Sequence, residues 1–225
     1  MHIGHQSKLL AYKMQDKLLE VTEVEKDLGV TFNNKLKSVI NVELAVYKAK
    51  RMLGFIKRSI TSRRKEVILP LYRSLVRPHL EYCVQAWGVY LQKDRVELEK
   101  VQMRAVRLIQ GLKSDNYFDK LRELGLFSMV RRRLRGDLIE CFKILKGMDR
   151  VQKDNFFQTR ESSGSMRGHR FKLYKKQCRT DLRKFFFTNR VVDIWNSLPA
   201  EVVESSTLGS FKSSVDKFFN KIGIV

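Results

Sequence analysis

The apolar residues of this chain follow one spacing up to about residue 35 and another beyond it. In the first part, short runs such as Leu18–Val21 and Asp27–Phe32 alternate with polar stretches, and residues 15–17 predict the turn of a β-hairpin. An isolated hairpin is only marginally stable in water, so two short strand pairs need a neighbour to pack against. We therefore expect residues 1–35 to be edge strands of something larger, and the chain to be a fragment.

Beyond residue 36 the apolar positions recur every three or four residues, which is the spacing of a helix with one buried face. The clearest series runs from Val42 to Ile56, and two further helices are predicted to end near Gly111 and Gly147, since glycine is common just after the last helical turn. The apolar positions of these three predicted helices are Val42, Ala45, Val46, Ala49, Leu53 and Ile56; Leu98, Val101, Ala105 and Leu108; and Leu134, Leu138, Cys141 or Phe142, and Leu145.

The segment Arg64–Tyr90 is apolar but contains Pro70 and Pro78, which lack the backbone N–H that a helix interior requires. It is predicted to form two helices or one kinked helix, with Cys83 on a buried helix face. Further along, Glu161–Gly168 is the best candidate for a linker because it is rich in serine and glycine.

Aromatic residues are dense in the last part of the chain. Phe185, Phe186 and Trp195 could stack on the bases of a single strand, but their helical spacing favours a place in the core. A final amphipathic helix is predicted after Pro199. The expected core positions are Leu182, Phe185, Phe186, Val191, Ile194 and Trp195, and those of the last helix are Phe211, Val215, Phe218 and Phe219.

The charge of the chain changes the picture, because 45 lysines and arginines face 24 aspartates and glutamates, a net charge of +21. A compact body with such an excess repels itself unless polyanions neutralise it, and nucleic-acid phosphate is the commonest such partner. A basic ribosomal or chromatin protein and a peripheral membrane binder are also cationic and remain alternatives at this point.

Cysteine usage and the amino terminus bear on the compartment. The three cysteines lie far apart, which is untypical of a secreted disulfide scaffold. The first residues lack the apolar stretch of a signal peptide, and no apolar run approaches membrane-spanning length. We expect an intracellular protein, nuclear or cytoplasmic and not secreted, with no membrane partner.

The sequence offers no pattern of residues for known catalytic chemistry. Phosphoryl transfer with two metal ions needs neighbouring carboxylates, yet none of the eleven aspartates stands beside another. No phosphate-binding glycine motif, no zinc-ligand spacing and no HExxH pattern occurs. We therefore predict no catalytic residue, no metal ligand and no cofactor in this chain.

Basic residues that lie off the predicted apolar stripes are candidates for phosphate contacts. Lys100, Arg104 and Arg107 fall along one line of a predicted helix. Arginines also crowd the start of a later helix, where cations oppose the helix dipole, so helix stability explains them poorly. The candidates are Lys48, Lys50, Arg51, Lys57 and Arg58; Lys100, Arg104 and Arg107; and Arg131, Arg132, Arg133 and Arg135.

Several motifs resemble those of LINE-type (non-LTR retrotransposon) reverse transcriptases, and they occur in the same order. Leu71–Trp87 is similar to the thumb-region signature of that family, and Asn189–Pro199 resembles its closing motif. Met1–Gly4 resembles the last palm strand, and Glu25–Val30 resembles the strand that leads into the thumb. Further similar stretches are Leu98–Gln102, Leu121–Ser128 with Arg131–Leu138, and Ser210–Lys212 with Val215–Phe218.

The spacing of the apolar residues predicts a mostly α fold with a small N-terminal β part, and the resemblance implies that this β part is a remnant of the palm. It also implies that RNA and DNA, as a template–primer duplex, are held through phosphate contacts, and it leaves the palm and fingers as a second candidate partner. Where the family often has Thr-Arg-Gly-His, this chain has Met166–His169, which leaves Arg167 and His169 as candidate backbone contacts. The implied segments are palm-edge strands 1–35, a helical thumb 36–112, a basic helical extension 113–160, and a linker with a C-terminal helical region 161–225.

In that family the catalytic aspartate pair and its magnesium lie in the palm, upstream of the palm strand that Met1–Gly4 resembles. We therefore expect this chain to bind nucleic acid but to be inactive alone as an RNA-directed DNA polymerase. Two alternatives stay open: a thumb subunit that completes a polymerase in trans, and a translated relic with no molecular function.

Overall fold

The N-terminal part folds as two short antiparallel hairpins in a computed structural model that describes residues 1–3, 10–159 and 168–224. The first hairpin turns where the sequence predicted. The second divides a run that the sequence analysis treated as one β-rich segment, because Leu28 and Gly29 both have positive φ angles, 46° and 82°, and reverse the chain. The strands are β1 (Lys13–Met14) paired with β2 (Lys17–Leu18), and β3 (Val24–Asp27) paired with β4 (Val30–Asn33).

The rest of the described chain is largely helical, which confirms the predicted fold class, mostly α with a small β entrance. The elements in chain order are α1 (Val39–Ser59), α2 (Lys65–Leu71), a π-helical turn (Tyr72–Val76), α3 (Arg77–Glu81), α4 (Gln92–Arg107), α5 (Tyr117–Glu123), α6 (Met129–Leu145), a 3-10 turn (Lys153–Asn155), α7 (Asp181–Lys184), α8 (Phe187–Arg190), α9 (Val192–Ser197), α10 (Ala200–Val203) and α11 (Leu208–Lys221).

The predicted helical stripes are largely present. All six apolar positions of α1, from Val42 to Ile56, are buried. The segment with two prolines is kinked as expected: Pro70 lies inside α2, and the chain then widens into a π turn in which the Arg77 N–H donates to the Tyr72 carbonyl. Pro78 lies in the first turn of α3, where its missing N–H costs nothing.

Cys83 does not lie on a helix, contrary to the sequence prediction. Helix α3 ends at Glu81, and Cys83 is a half-buried turn residue with a φ of 51°. Side chains take the carbonyls that a continuing helix would use: the Trp87 indole donates to the Tyr82 carbonyl at 2.8 Å, and Arg133 donates to the Leu80 carbonyl at 2.8 Å.

The aromatic-rich segment from Leu182 to Trp195 also differs from its prediction. Three short helices, α7 to α9, replace a single helix, because Phe186 between the first two has an extended backbone. Val191 and Trp195 are buried as predicted, whereas Leu182 and Phe186 are 48% and 45% exposed and do not belong to the core. These two side chains instead line a cavity described below.

Helix α6 connects two hydrophobic clusters. Its first residue, Met129, packs in a cluster built from β4 and α1 to α5. From Leu138 onward it packs in a second cluster, with residues of α8 to α11 and buried Phe157 and Leu173. In the described ranges, no helix combines the length and the apolar character needed to cross a membrane.

Candidate nucleic-acid interface

The outward faces of α1 and α4 adjoin, because the two helices pack side by side and an acidic residue joins cations of both. The ammonium group of Lys50 on α1 lies 3.4 Å from one carboxylate oxygen of Glu97 on α4, and that of Lys100 lies 2.7 Å from the other. The hydrogen bond from Lys100 lowers the pKa of Glu97. One carboxylate thus holds two lysines next to each other and leaves a net positive charge.

The C-terminal ends of both helices meet at Arg63. Its guanidinium donates to the carbonyls of Lys57, at 2.9 Å, and Ile60, at 2.6 Å, while its own carbonyl accepts from the Gln110 N–H at 3.0 Å. The helices therefore run in the same direction, and Lys57 lies at the same end of the pair as Arg107.

The outward face of α1 mixes cations with aromatic rings. Lys48, Arg51 and Arg58 are exposed there, and on the same helix Tyr47 and Phe55 are 63% and 56% exposed. Proteins that bind single-stranded nucleic acids combine exposed aromatic side chains with cations: the bases stack on the rings, and the phosphates contact the cations.

The cationic face, as we call it, comprises eight of the predicted site residues. On α4, Lys100, Arg104 and Arg107 are all exposed, as their spacing predicted. Within the part of the chain that the structure describes, only Lys50 and Lys100 of this face form ion pairs. The members of the cationic face are Lys48, Lys50, Arg51, Lys57, Arg58, Lys100, Arg104 and Arg107.

The arginines at the start of α6 do not form the surface cluster that the sequence analysis expected. Arg133 is only 8% exposed; it donates to the Leu80 carbonyl at 2.8 Å and the Trp87 carbonyl at 2.7 Å, and its guanidinium lies 3.9 Å from the centre of a Trp87 ring. Burial lowers the pKa of Arg133 to about 10. This cation therefore connects α6 to the end of α3 and to the turns that follow it.

Arg131 is 3% exposed and is directed toward the end of the chain. It donates to the Asn220 side chain and to the Ile224 carbonyl, both at 2.8 Å, and to the Asp216 carbonyl at 3.0 Å. Its guanidinium also lies 3.6 Å from the centre of the Phe127 ring. Arg131 thus satisfies carbonyls at the C-terminal end of α11.

Arg132 and Arg135 are held in bidentate ion pairs. Arg132 binds both carboxylate oxygens of Glu81, and Arg135 binds those of Asp216 at 2.7 and 2.9 Å. All four arginines at this helix start therefore have protein partners, which explains their position better than either the helix dipole or a phosphate ligand. We leave them out of the functional proposal.

His169 is also an internal residue. It is 2% exposed, and its Nε2 lies 3.1 Å from the Trp195 carbonyl, so that nitrogen carries the proton and donates. Its Nδ1 is buried with no partner among the described residues. Burial lowers the pKa of His169. Arg167, the other candidate of this motif, lies outside the described residues.

A buried polar network on α4 escaped the sequence analysis. Gln102 is fully buried; its side-chain oxygen accepts from the Tyr72 hydroxyl at 2.7 Å, and its nitrogen donates to Glu99 at 3.1 Å and to the Phe127 carbonyl at 3.0 Å. Glu99 also accepts from the Met129 N–H at 2.7 Å and so caps α6. A glutamine on the predicted apolar stripe of α4 was the signal available.

The parts of the chain that the structure describes contain no assembled site for metal binding or for thiol chemistry. No group of three or more His, Cys, Asp or Glu side chains there could hold a metal ion. The three cysteines are free, and burial raises the pKa of Cys141. Comparison with protein-family models, with curated proteins and with solved structures found no match to this chain.

Proposed function

We propose that this chain binds nucleic acid through the cationic face and serves as the thumb and C-terminal region of a LINE-type reverse transcriptase. The observation that carries the proposal is the cationic face itself: eight lysines and arginines on two adjoining helices, of which Lys50 and Lys100 pair with Glu97. The ligand in this proposal is a duplex of template and primer, held by its phosphates. The protein is expected to act inside the cell.

The positions of the charges support contacts with phosphate over a role in folding. Arg104 and Arg107 point away from the apolar side of α4, where Leu98, Val101 and Ala105 are buried. Cations on the surface contribute little to stability, yet each one that neutralises a phosphate releases counterions and adds to affinity. Contacts of this kind position a duplex without reading its sequence.

The experiment that tests the proposal is a salt series of duplex affinities, measured by fluorescence anisotropy. Each phosphate contact contributes about 0.7 to 0.9 to the slope of log affinity against log salt, depending on the strand type. The triple variant Lys100→Gln, Arg104→Gln, Arg107→Gln should reduce this slope by about 2 to 3 and weaken all sequences alike.

A charge-matched variant separates a phosphate site from the general excess of positive charge. Lys153, Lys176 and Lys217 are exposed and lie outside the cationic face. Replacing these three by glutamine removes the same charge and should leave the slope nearly unchanged. Equal slopes for the wild type and both variants would refute the proposal and assign the cationic face to solubility.

The proposal includes no polymerase activity for this chain alone. The family's two-metal chemistry requires the aspartate pair of the palm, and no two aspartates are adjacent in this sequence. Primer extension on an RNA template, with magnesium or manganese, is the test. Incorporation that depends on this chain and persists through purification would contradict the proposal.

A further inference from the structure

A cavity of about 410 Å³ opens where residues 31–41, residues 86–90 and residues 182–190 come together. This volume lies within the range of about 300 to 1,000 Å³ that is typical of small-ligand sites. Strand β4 with the loop that follows it, the turns after α3, and α7 with the residues after it contribute its walls. Its characteristic side chains are Phe32, Lys35, Lys37, Tyr90, Arg183 and Phe186.

One side of the cavity is aromatic. The rings of Tyr90 and Phe185 are stacked, with centroids 4.4 Å apart and an interplanar angle of 3°. The neighbouring Phe186 is 45% exposed, and the guanidinium of Arg183 lies 5.5 Å from the centre of its ring. A large exposed ring beside a stacked pair offers a platform for another planar group.

The charge of the cavity selects an anion. Lys35, Lys37 and Arg183 are exposed around it, and no acidic residue is among the described residues that line it. Arg190 also lines the cavity, but Asp137 binds its guanidinium through both carboxylate oxygens. Three cations are therefore left for a ligand that combines a planar ring with negative charge.

We propose that this cavity holds an unpaired nucleotide of the nucleic acid that the cationic face binds, with the base on Phe186 and the phosphate at Lys35 and Lys37. The inference rests on the proposed function. Ser38, at the start of α1, lines the cavity, and a helix rises about 1.5 Å per residue, so the site lies about 15 Å along the axis from Lys48. A strand leaving a duplex on the cationic face can cover that distance.

The test compares two duplexes of the same sequence, one blunt and one with a single-stranded overhang of about ten nucleotides, a length within known single-strand site sizes. The overhang duplex should bind at least about fivefold more tightly, as expected from the stacking of one base. Phe186→Ala should abolish this preference and leave the affinity for the blunt duplex unchanged. The double variant Lys35→Gln, Lys37→Gln should do the same.

Phe118→Ala is the matched control, since Phe118 is 47% exposed on α5 and does not line the cavity. Equal affinities for the two duplexes, or a preference that survives Phe186→Ala, would overturn the inference. Failure of the proposed function looks different: the salt slope for the blunt duplex would then be the same in the wild type and in both triple glutamine variants. AMP alone, followed by the intrinsic tryptophan fluorescence to which Trp87 in the cavity wall contributes, still reports on the cavity in that case. Binding that Phe186→Ala abolishes supports a nucleotide site in the cavity, and binding that survives this substitution contradicts it.

Discussion

Arg190 and Asp137 form a bidentate ion pair that joins α8 to α6. The Nε and Nη2 atoms of Arg190 lie 2.9 and 2.7 Å from the two carboxylate oxygens of Asp137, and Nη2 also donates to the Val84 carbonyl at 2.8 Å. The two side chains are 16% and 9% exposed. Burial raises the pKa of Asp137 although Arg190 opposes that change, so each charge depends on the other.

Removing one partner of this pair should destabilise the protein strongly. A buried ion pair that loses one member leaves an uncompensated charge, which typically costs about 3 to 5 kcal/mol. We expect Arg190→Gln to lower the free energy of unfolding by that amount in urea titrations. The control is Arg122→Gln, since Arg122 and Asp119 are 69% and 48% exposed and their pair should contribute at most about 1 kcal/mol. Comparable losses in the two variants would contradict the assignment.

The sequence predicted the elements that depend on local periodicity. The stripe of α1 from Val42 to Ile56 is buried in full because a helix with one apolar face has one way to bury it. The exposed positions of Lys100, Arg104 and Arg107 follow from the same periodicity.

Contacts between distant segments could not be predicted in the same way. Arg133 and Arg107 are the same residue type in similar helices, but only Arg133 faces carbonyls, those of Leu80 and Trp87. Those carbonyls are available because α3 stops at Glu81, and the apolar spacing of this segment did not indicate that stop. Phe186 is exposed for a related reason, since the backbone between α7 and α8 is extended and removes it from the helical pattern.

His169 should make the stability depend on pH below neutrality. Burial lowers the pKa of this side chain in the folded state, so the unfolded chain, with a pKa near 6.5, takes up a proton first. The stabilising contribution is complete above about pH 6.5 and decreases as the pH falls through the folded pKa, by at most about 1.4 kcal/mol per pH unit. Urea midpoints for the wild type and His169→Gln at about pH 7.5 and 5.5 test this. The variant should lose less stability on acidification, and equal losses would contradict the prediction.

The first hairpin should promote self-association. Tyr12, just before β1, Met14 on β1 and Leu18 on β2 are 56%, 69% and 60% exposed, and exposed apolar edge strands pair with other chains. In contrast, the second hairpin is fixed to α1, since the Asn41 side chain binds both the N–H and the carbonyl of Thr31, at 2.9 and 2.6 Å. The association should therefore come from the first hairpin alone.

Replacing Tyr12, Met14 and Leu18 by threonine keeps the preference for strands but removes the apolar surface. Sedimentation velocity should show less oligomer for this variant than for the wild type. A control variant replaces three exposed residues outside this hairpin, Met148, Val151 and Ile222, by threonine. Oligomer levels that stay the same in the first variant, or fall equally in both, would argue against the hairpin.

A crossed pair of substitutions should separate cations that bind phosphate from cations that hold the fold. Arg104 is exposed on α4 without an ion pair in the described residues, whereas Arg135 is 21% exposed and binds both oxygens of Asp216. Arg104→Gln should change the unfolding free energy by no more than about 0.5 kcal/mol and lower the salt slope of duplex binding by about 0.7 to 0.9.

Arg135→Gln should do the opposite. It removes charge-assisted hydrogen bonds between α6 and α11, each worth about 1.5 to 3 kcal/mol, and leaves the salt slope unchanged because the guanidinium is already neutralised by Asp216. Both variants lose one positive charge, so net charge alone cannot produce opposite results. A salt slope that falls equally in both variants would show that Arg135 also contacts phosphate. The arginines of α6 would then belong to the nucleic-acid interface in spite of their internal contacts.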